Sequence, residues 1–272
     1  RLVPHDLIYL NSAFAMDTTI KVLVLRRLTL LPSKRPIVVA PRGEFCHGAL
    51  NHKGFRKNLF LWLAKALGLY RGVHWQATSE MELVDIQRCL GPAARVTLAR
   101  NLSTLPEPTP GTAVRNPKQR QTLKVIFLSR LSPNKNLAMV LSVLQACQGQ
   151  IELNIYGHPD QDTYWQQCQV QMQALPPQIK VTYHGILPPD QVLATFAQHH
   201  LFFFPTLWEN FGHVIMESLT AGCPVLISDR TPWRDLARQG IGWEFPLDQA
   251  VRFQETVEAC LAMDEAEYRP WS

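Results

Sequence analysis

From Leu123 onward the sequence repeats one unit about five times: a short run of β-formers, a loop with Gly or Pro, then an amphipathic stretch. That rhythm admits few folds, because strands joined by helical crossovers lie parallel in a sheet that helices cover. The candidate strands are Lys124–Leu128, Ile151–Tyr156, Ile179–Tyr183, Leu201–Phe204 and Val225–Ser228, with helical spacing at Asn136–Cys147, Asp162–Ala174, Pro189–Gln198 and His213–Ala221. The near-continuous apolar runs LKVIFLS and HLFFFP suit strands buried on both faces. The first half repeats the theme more weakly, with strands at Asp6–Leu10, Pro36–Ala40, Val73–Ala77 and Arg95–Ala99 and helices at Thr18–Leu31, Phe55–Leu69 and Glu80–Leu90. Between the halves, Ser103–Gln121 holds four prolines and reads as a linker. The expected class is α/β with doubly wound sheets, divided as residues 1–102, a linker 103–121, a second domain 122–262 and a tail 263–272.

Composition narrows the partners. With 46% hydrophobic and 18% charged residues, the 272-residue chain has neither a disordered nor a membrane-embedded composition. No apolar run reaches the roughly 18 residues that a membrane span requires. The net charge of +5 favours anionic partners. Nucleic acid is not expected among them, since no basic-aromatic platform or helix-turn-helix signal accompanies the charge. The six cysteines form no C-x-x-C pair, so they read as thiols of a reducing compartment and imply no zinc site.

Chemistry concentrates in Pro205–Arg234, PTLWENFGHVIMESLTAGCPVLISDRTPWR. A strand ends at Pro205, a loop carries Glu209, Asn210 and Phe211, Gly212 opens a helix, and Gly222 and Pro224 end it. Amides at a helix start beside a glycine make an anion site, and Glu217 shares a face with His213 one turn earlier. This reading places two carboxylates beside one phosphate-sized hole. The segment resembles the signature of family 4 (group 1) glycosyltransferases of the GT-B fold, whose E-x7-E motif is here Glu209 to Glu217 inside E-N-F-G…E-S-L-x-A-G-C-P-V.

A second segment, Ser129–Leu137 (SRLSPNKNL), resembles the same family's G-R-L-x-x-x-K pattern, with Arg130 and Lys135 as its basic pair and Ser129 in place of the usual glycine. A diphosphate leaving group needs cationic stabilisation, and these two side chains supply it without metal. Asp160-Gln161-Asp162 matches a D-x-D pattern but opens a helix, where acidic residues are common, so no metal is expected. By the same resemblance Gly157, Gly185 and Ile186 line the nucleotide pocket, and Arg42, Gly43 and Glu44 of the A-P-R-G-E-F loop lie on the acceptor side. No histidine stands in that loop. Thr78-Ser79-Glu80-Met81-Glu82 resembles the family's S-E-x-E helix start and is explained equally by an N-cap, while Asn101 takes the place of a turn asparagine.

The resemblance implies two Rossmann-like GT-B domains, of which the first is incomplete, with truncation at the N-terminus and also at the C-terminus. It implies a retaining transferase that moves a sugar from a nucleoside-diphosphate donor to a hydroxyl of a saccharide or lipid-linked acceptor in surface polysaccharide or glycolipid synthesis. Arg130, Lys135 and Glu209 would be catalytic, Glu209 contacting donor-sugar hydroxyls and Glu217 the ribose. No cofactor is needed beyond the sugar nucleotide itself. A non-catalytic nucleotide-sugar-binding module is the alternative. Finally, His52–Gly72 interleaves Lys53, Arg56, Lys57, Lys65 and Arg71 with Phe60, Leu61, Trp62, Leu63 and Leu67. That composition suits either a helix at an anionic bilayer surface or a sheet-covering helix with a basic outer face. The expected location is cytoplasmic, and the first alternative adds peripheral attachment to the inner face of the membrane.

Overall fold

The computed structural model describes residues 6–30, 35–46, 48, 50, 54–100 and 116–272. Asn101, Lys53 and the linker residues 103–115 lie outside them. The chain divides into two compact units, Arg1–Leu102 and Ser103–Ser272, each built on a parallel sheet.

In the first unit, strands β1 (Ile8–Asn11), β2 (Ile37–Ala40), β3 (Val73–Ala77) and β4 (Arg95–Leu98) pair in sequence order, all parallel. Side chains of β3 alternate: Val73, Trp75 and Ala77 are buried, while His74 and Gln76 are half-buried on the other face. Helices α1 (Lys21–Arg27), α2 (Gly54–Ala66) and α3 (Glu80–Leu90) accompany the sheet. The helix expected over Thr18–Leu31 is shorter. It opens with a wide π turn, Met16–Ile20, where two consecutive β-branched threonines disfavour regular α geometry.

In the second unit, β5 (Thr122–Leu128), β6 (Gln150–Tyr156), β7 (Ile179–Gly185), β8 (Leu201–Phe204), β9 (Val225–Ser228) and β10 (Gly242–Phe245) form a sheet ordered β10-β9-β8-β5-β6-β7. The order reverses at β5, as in a doubly wound fold. Strands β8 and β9 are buried at every position, so their unbroken apolar sequence reflects cover on both faces. Phe127, Phe202, Phe203 and Phe204 are fully buried, each worth roughly 1.5–3 kcal/mol by transfer from water. Sequence reading missed β10 and the short helix Leu236–Gln239 before it. The strand is four residues long, begins with Gly242 and carries Glu244, whose carboxylate accepts from the Asp235 and Leu236 amides instead of facing the sheet. The expected helix Pro189–Gln198 is split into a 3-10 turn, Pro189–Gln191, and an α segment, Val192–Ala197. Residues after 262 pack on this unit through Tyr268, whose hydroxyl donates to the His200 carbonyl at 3.0 Å, and through Trp271 stacked on Trp243.

All pairings in this sheet are parallel, so the loops after β5 to β9 leave at one edge. These loops are stitched together. The Ser129 amide donates to the Tyr156 carbonyl, the Leu131 amide to His158, and the Gly157 amide to Gly185, at 3.1, 2.8 and 2.7 Å. The closest approach is at Gly157 (φ 137°), where a Cβ would fall 1.7 Å from the Ser129 carbonyl oxygen. Gly185 (φ 75°) has nothing within 4 Å of its Cβ position. Gly157→Ala therefore costs about 3 kcal/mol or more, against about 1 kcal/mol for Gly185→Ala, from strain in a left-handed backbone alone. Urea unfolding of the two variants measures the difference, and equal losses would contradict the stitched edge.

Candidate active site

Each candidate donor-side residue sits on this carboxyl edge. After β5 the chain makes a 3-10 turn over Pro133–Lys135, and Asn136 then takes a left-handed conformation (φ 61°) before the helix Leu137–Gln145. Asn side chains tolerate that conformation and bond locally. Here the Asn136 amide donates to the Pro205 carbonyl at 3.0 Å, Asn134 Nδ2 donates to Trp208, and the Leu207 amide donates back to Asn134. The β5 and β8 loops are thereby fastened to each other.

That fastening delivers Lys135 to Glu209. The ammonium lies 2.7 Å from Glu209 Oε2, with the two side chains only 13% and 18% exposed, and it sits 5.2 Å from the centre of the Phe204 ring. The other carboxylate oxygen accepts from the Asn210 amide at 3.0 Å. Gly212 (φ 78°) caps the helix His213–Thr220, and a Cβ there would meet Ile215 at 2.8 Å and Glu209 Cγ at 3.2 Å. Only a bare glycine lets the Glu209 stem lie against the start of this helix, whose first amides have no intrahelical acceptor. Phe211 is held from behind, as Trp233 Nε1 donates to its carbonyl at 2.7 Å.

Glu217 stands one turn into that helix, with Ile215 buried against the sheet. Burial holds its carboxyl above the usual range, and the nearby His213 pulls it partly back. Arg130 is placed differently from Lys135. It is 72% exposed and pairs with Asp160 of the β6 loop at 3.1 Å, on the β6 side of β5. The first acid of the D-x-D pattern is thus an arginine partner. Gly157 and Gly185 meet by backbone, Tyr183 donates to the Gly157 carbonyl at 2.9 Å, and Ile186 projects outward.

In the first unit, the Glu44 carboxylate is taken up locally by the Ser12 hydroxyl at 2.7 Å and the Ala13 amide at 2.5 Å. The Gly43 amide donates to the buried Glu82, which also accepts from the Thr78 amide and hydroxyl. Ser79 caps the helix that contains Glu82, so the S-E-x-E segment ties two loops of the sheet edge together. Arg42 is exposed and donates to Asn11 and Tyr9.

The family description "Glycosyl transferases group 1" matches residues 113–270, more than half of the chain and the whole of this edge. The chain belongs to the group 1 glycosyl transferases. The fold is similar to that of HepE from Anabaena in complex with UDP and glucose, with a TM-score of 0.73 and 20% identity, covering 98% of this chain and 72% of that one. It is also similar to sucrose-phosphate synthase from Thermosynechococcus elongatus, with a TM-score of 0.71 and 18% identity over 98% of this chain and 67% of that one. A curated relative, an uncharacterised 41.2 kDa protein in the cps region of Klebsiella pneumoniae, is 20% identical over 158 residues. That match spans 58% of this chain and about two fifths, 40%, of the relative's length.

In this group 1 glycosyl transferase, sequence reasoning passed over Asn134 and Asn136 and read Asp160 only as a helix-opening acid. Their signal was an asparagine on either side of Lys135 and an acid in a glycine loop, which is ordinary loop composition until the neighbouring loop is placed. Two outcomes follow from the geometry. Lys135→Met and Glu209→Gln each lower stability by roughly 1–3 kcal/mol by leaving a mostly buried charge unpaired, and the double variant loses less than the sum of the two. Chemical denaturation of the four proteins measures the coupling, and strict additivity would contradict the pair. Glu217→Gln raises the melting temperature at neutral pH, because the folded carboxyl resists ionisation. The gain fades as pH falls from the folded carboxyl's raised range to the unfolded range of about 4.3, below which the wild-type group is protonated in both states. Melting curves across that range test the sign.

Proposed function

We propose that this chain transfers a sugar from a nucleoside diphosphate to an acceptor hydroxyl, with retention at the anomeric carbon, in surface polysaccharide or glycolipid synthesis. The Lys135–Glu209 contact supports this reading above all else: a cation suited to phosphate and a carboxylate suited to sugar hydroxyls, held side by side at the carboxyl edge of a parallel sheet. The relative from a cps region supports a polysaccharide context, and HepE, solved with UDP and glucose, supports the donor class.

In the transfer, the bond between the anomeric carbon and the β-phosphate oxygen breaks while the acceptor oxygen bonds to that carbon. The acceptor proton passes to the leaving diphosphate or to solvent. Lys135, Arg130 and the amides at Gly212 would oppose charge growing on the diphosphate, a contribution that exists chiefly in the transition state. Glu209 would hold donor-sugar hydroxyls beside the breaking bond. Glu217 would take the ribose hydroxyls together with Asn210 and Phe211, and Gly157, Gly185 and Ile186 would border the base. Arg42, Gly43 and Glu44 would lie toward the acceptor. Cationic side chains do the electrostatic work in this scheme, so no metal is required.

A panel of nucleoside-diphosphate sugars, UDP-glucose among them, is tested first for raising the melting temperature and then for transfer to saccharide acceptors or water by mass spectrometry. One donor stabilises the protein and is turned over, with or without EDTA. Lys135→Met lowers turnover about a hundredfold to a thousandfold, the usual cost of losing one charge-stabilising group. Stabilisation without turnover selects the binding-module alternative, and stabilisation by none of the donors refutes both.

A further inference from the structure

Helix α2 is apolar on two sides. Its inward side packs through Leu61, Ala64 and Phe60, the last edge-on to Phe14 at 6.0 Å. Its outward side carries Phe55, Leu59, Trp62 and Leu63, all exposed, with Leu67 just beyond; Phe55 is 82% and Trp62 65% accessible. These positions recur every three to four residues, so they form one stripe along the helix. The outer face is therefore not the polar cover of an ordinary sheet-packing helix. Contiguous apolar exposure of this kind marks an interaction surface.

Charge identifies the partner. Residues 1–102 hold fifteen Lys and Arg against six Asp and Glu, a net +9, whereas residues 103–272 are net −4. Between residues 18 and 79 there are eleven basic residues and a single acid, Glu44, whose carboxylate is already bonded to Ser12 and Ala13. Exposed Arg56 and Lys65 flank the stripe. Arg27, through its bond to the Leu67 carbonyl at 3.0 Å, brings exposed Leu28 to the end of it. Beside Lys65 opens a cavity of about 710 Å³ lined by Lys65, Arg71, Arg95, Tyr70 and Trp75, with no carboxylate among its described residues.

We propose that the N-terminal unit docks on an anionic lipid bilayer: the stripe from Phe55 to Leu67 enters the headgroup region, and the cavity between Lys65, Arg71 and Arg95 receives a lipid phosphate. An interfacial helix uses this combination of inserted aromatic and aliphatic side chains with flanking cations, and tryptophan favours that depth. The inference stands apart from the donor site, which lies in the other unit.

The full chain is sedimented with vesicles of phosphatidylcholine alone and of phosphatidylcholine mixed with phosphatidylglycerol. It pellets with the anionic vesicles, stays in solution with the neutral ones, and is released as salt rises. Phe55→Ser with Trp62→Ser lowers partitioning tenfold or more at unchanged melting temperature. Lys65→Gln with Arg71→Gln lowers it about fivefold for each charge removed. Brominated acyl chains quench the wild-type tryptophan emission, and Trp62→Phe abolishes most of that quenching without needing any disruptive change. Equal binding to neutral vesicles, undiminished binding by the serine pair, or quenching that survives Trp62→Phe would overturn the proposal. So would a wild-type dimer that the serine pair dissociates, because the stripe would then be a contact between two copies of the chain.

Discussion

Parallel pairing of the second sheet is the constraint on which the rest of the structure depends. It sends the loops after β5, β6, β7, β8 and β9 to one edge, so side chains as far apart as Lys135 and Glu209, 74 residues along the chain, become neighbours. Lys135 and Glu209 come from the loops of two adjacent strands, and asparagines on both sides of the lysine secure those loops to the backbone at Pro205 and Trp208. Close contact between oppositely charged groups costs desolvation, and here an aromatic ring, an amide and the pairing itself offset it. The ammonium and the carboxylate are held against each other, 2.7 Å apart, by the loops of two adjacent strands.

Much of this was legible in the sequence because the governing signals are local. Continuous apolar runs such as HLFFFP announced strands covered on both faces, and Gly212 after E-N-F announced a helix start. The parts that escaped depend on partners distant in the chain. Strand β10 was invisible because it is four residues long and opens on a glycine, too short for its Trp243/Phe245 alternation to stand out before its pairing with β9 is known. Asp160 read as an ordinary helix-opening acid until the β6 loop placed it on Arg130. The resemblance grouped Arg130 with Lys135, yet the structure turns one toward Asp160 and the other toward Glu209, since the loop they share straddles the strand between β6 and β8.

The two units differ in electrostatic character as well as in sheet order. The C-terminal unit is net acidic and gathers its exposed chemistry at one edge, where cations are few and individually placed. The N-terminal unit is strongly basic, with charge spread over its helices and an apolar stripe between the cations. Its own sheet-edge loop is stabilised by carboxylates, buried Glu82 holding Gly43 and Thr78, and half-buried Glu44 holding Ser12 and Ala13. Glu44 and Glu82 thus serve the fold, and residues 1–102 keep a net charge of +9.

A structure of the chain with a bound nucleoside diphosphate tests the central claim most directly. The account predicts diphosphate oxygens within hydrogen-bonding distance of the Lys135 ammonium, which lengthens its 2.7 Å contact with Glu209 to reach them. A diphosphate bound elsewhere, with the lysine and the glutamate still joined, would contradict it.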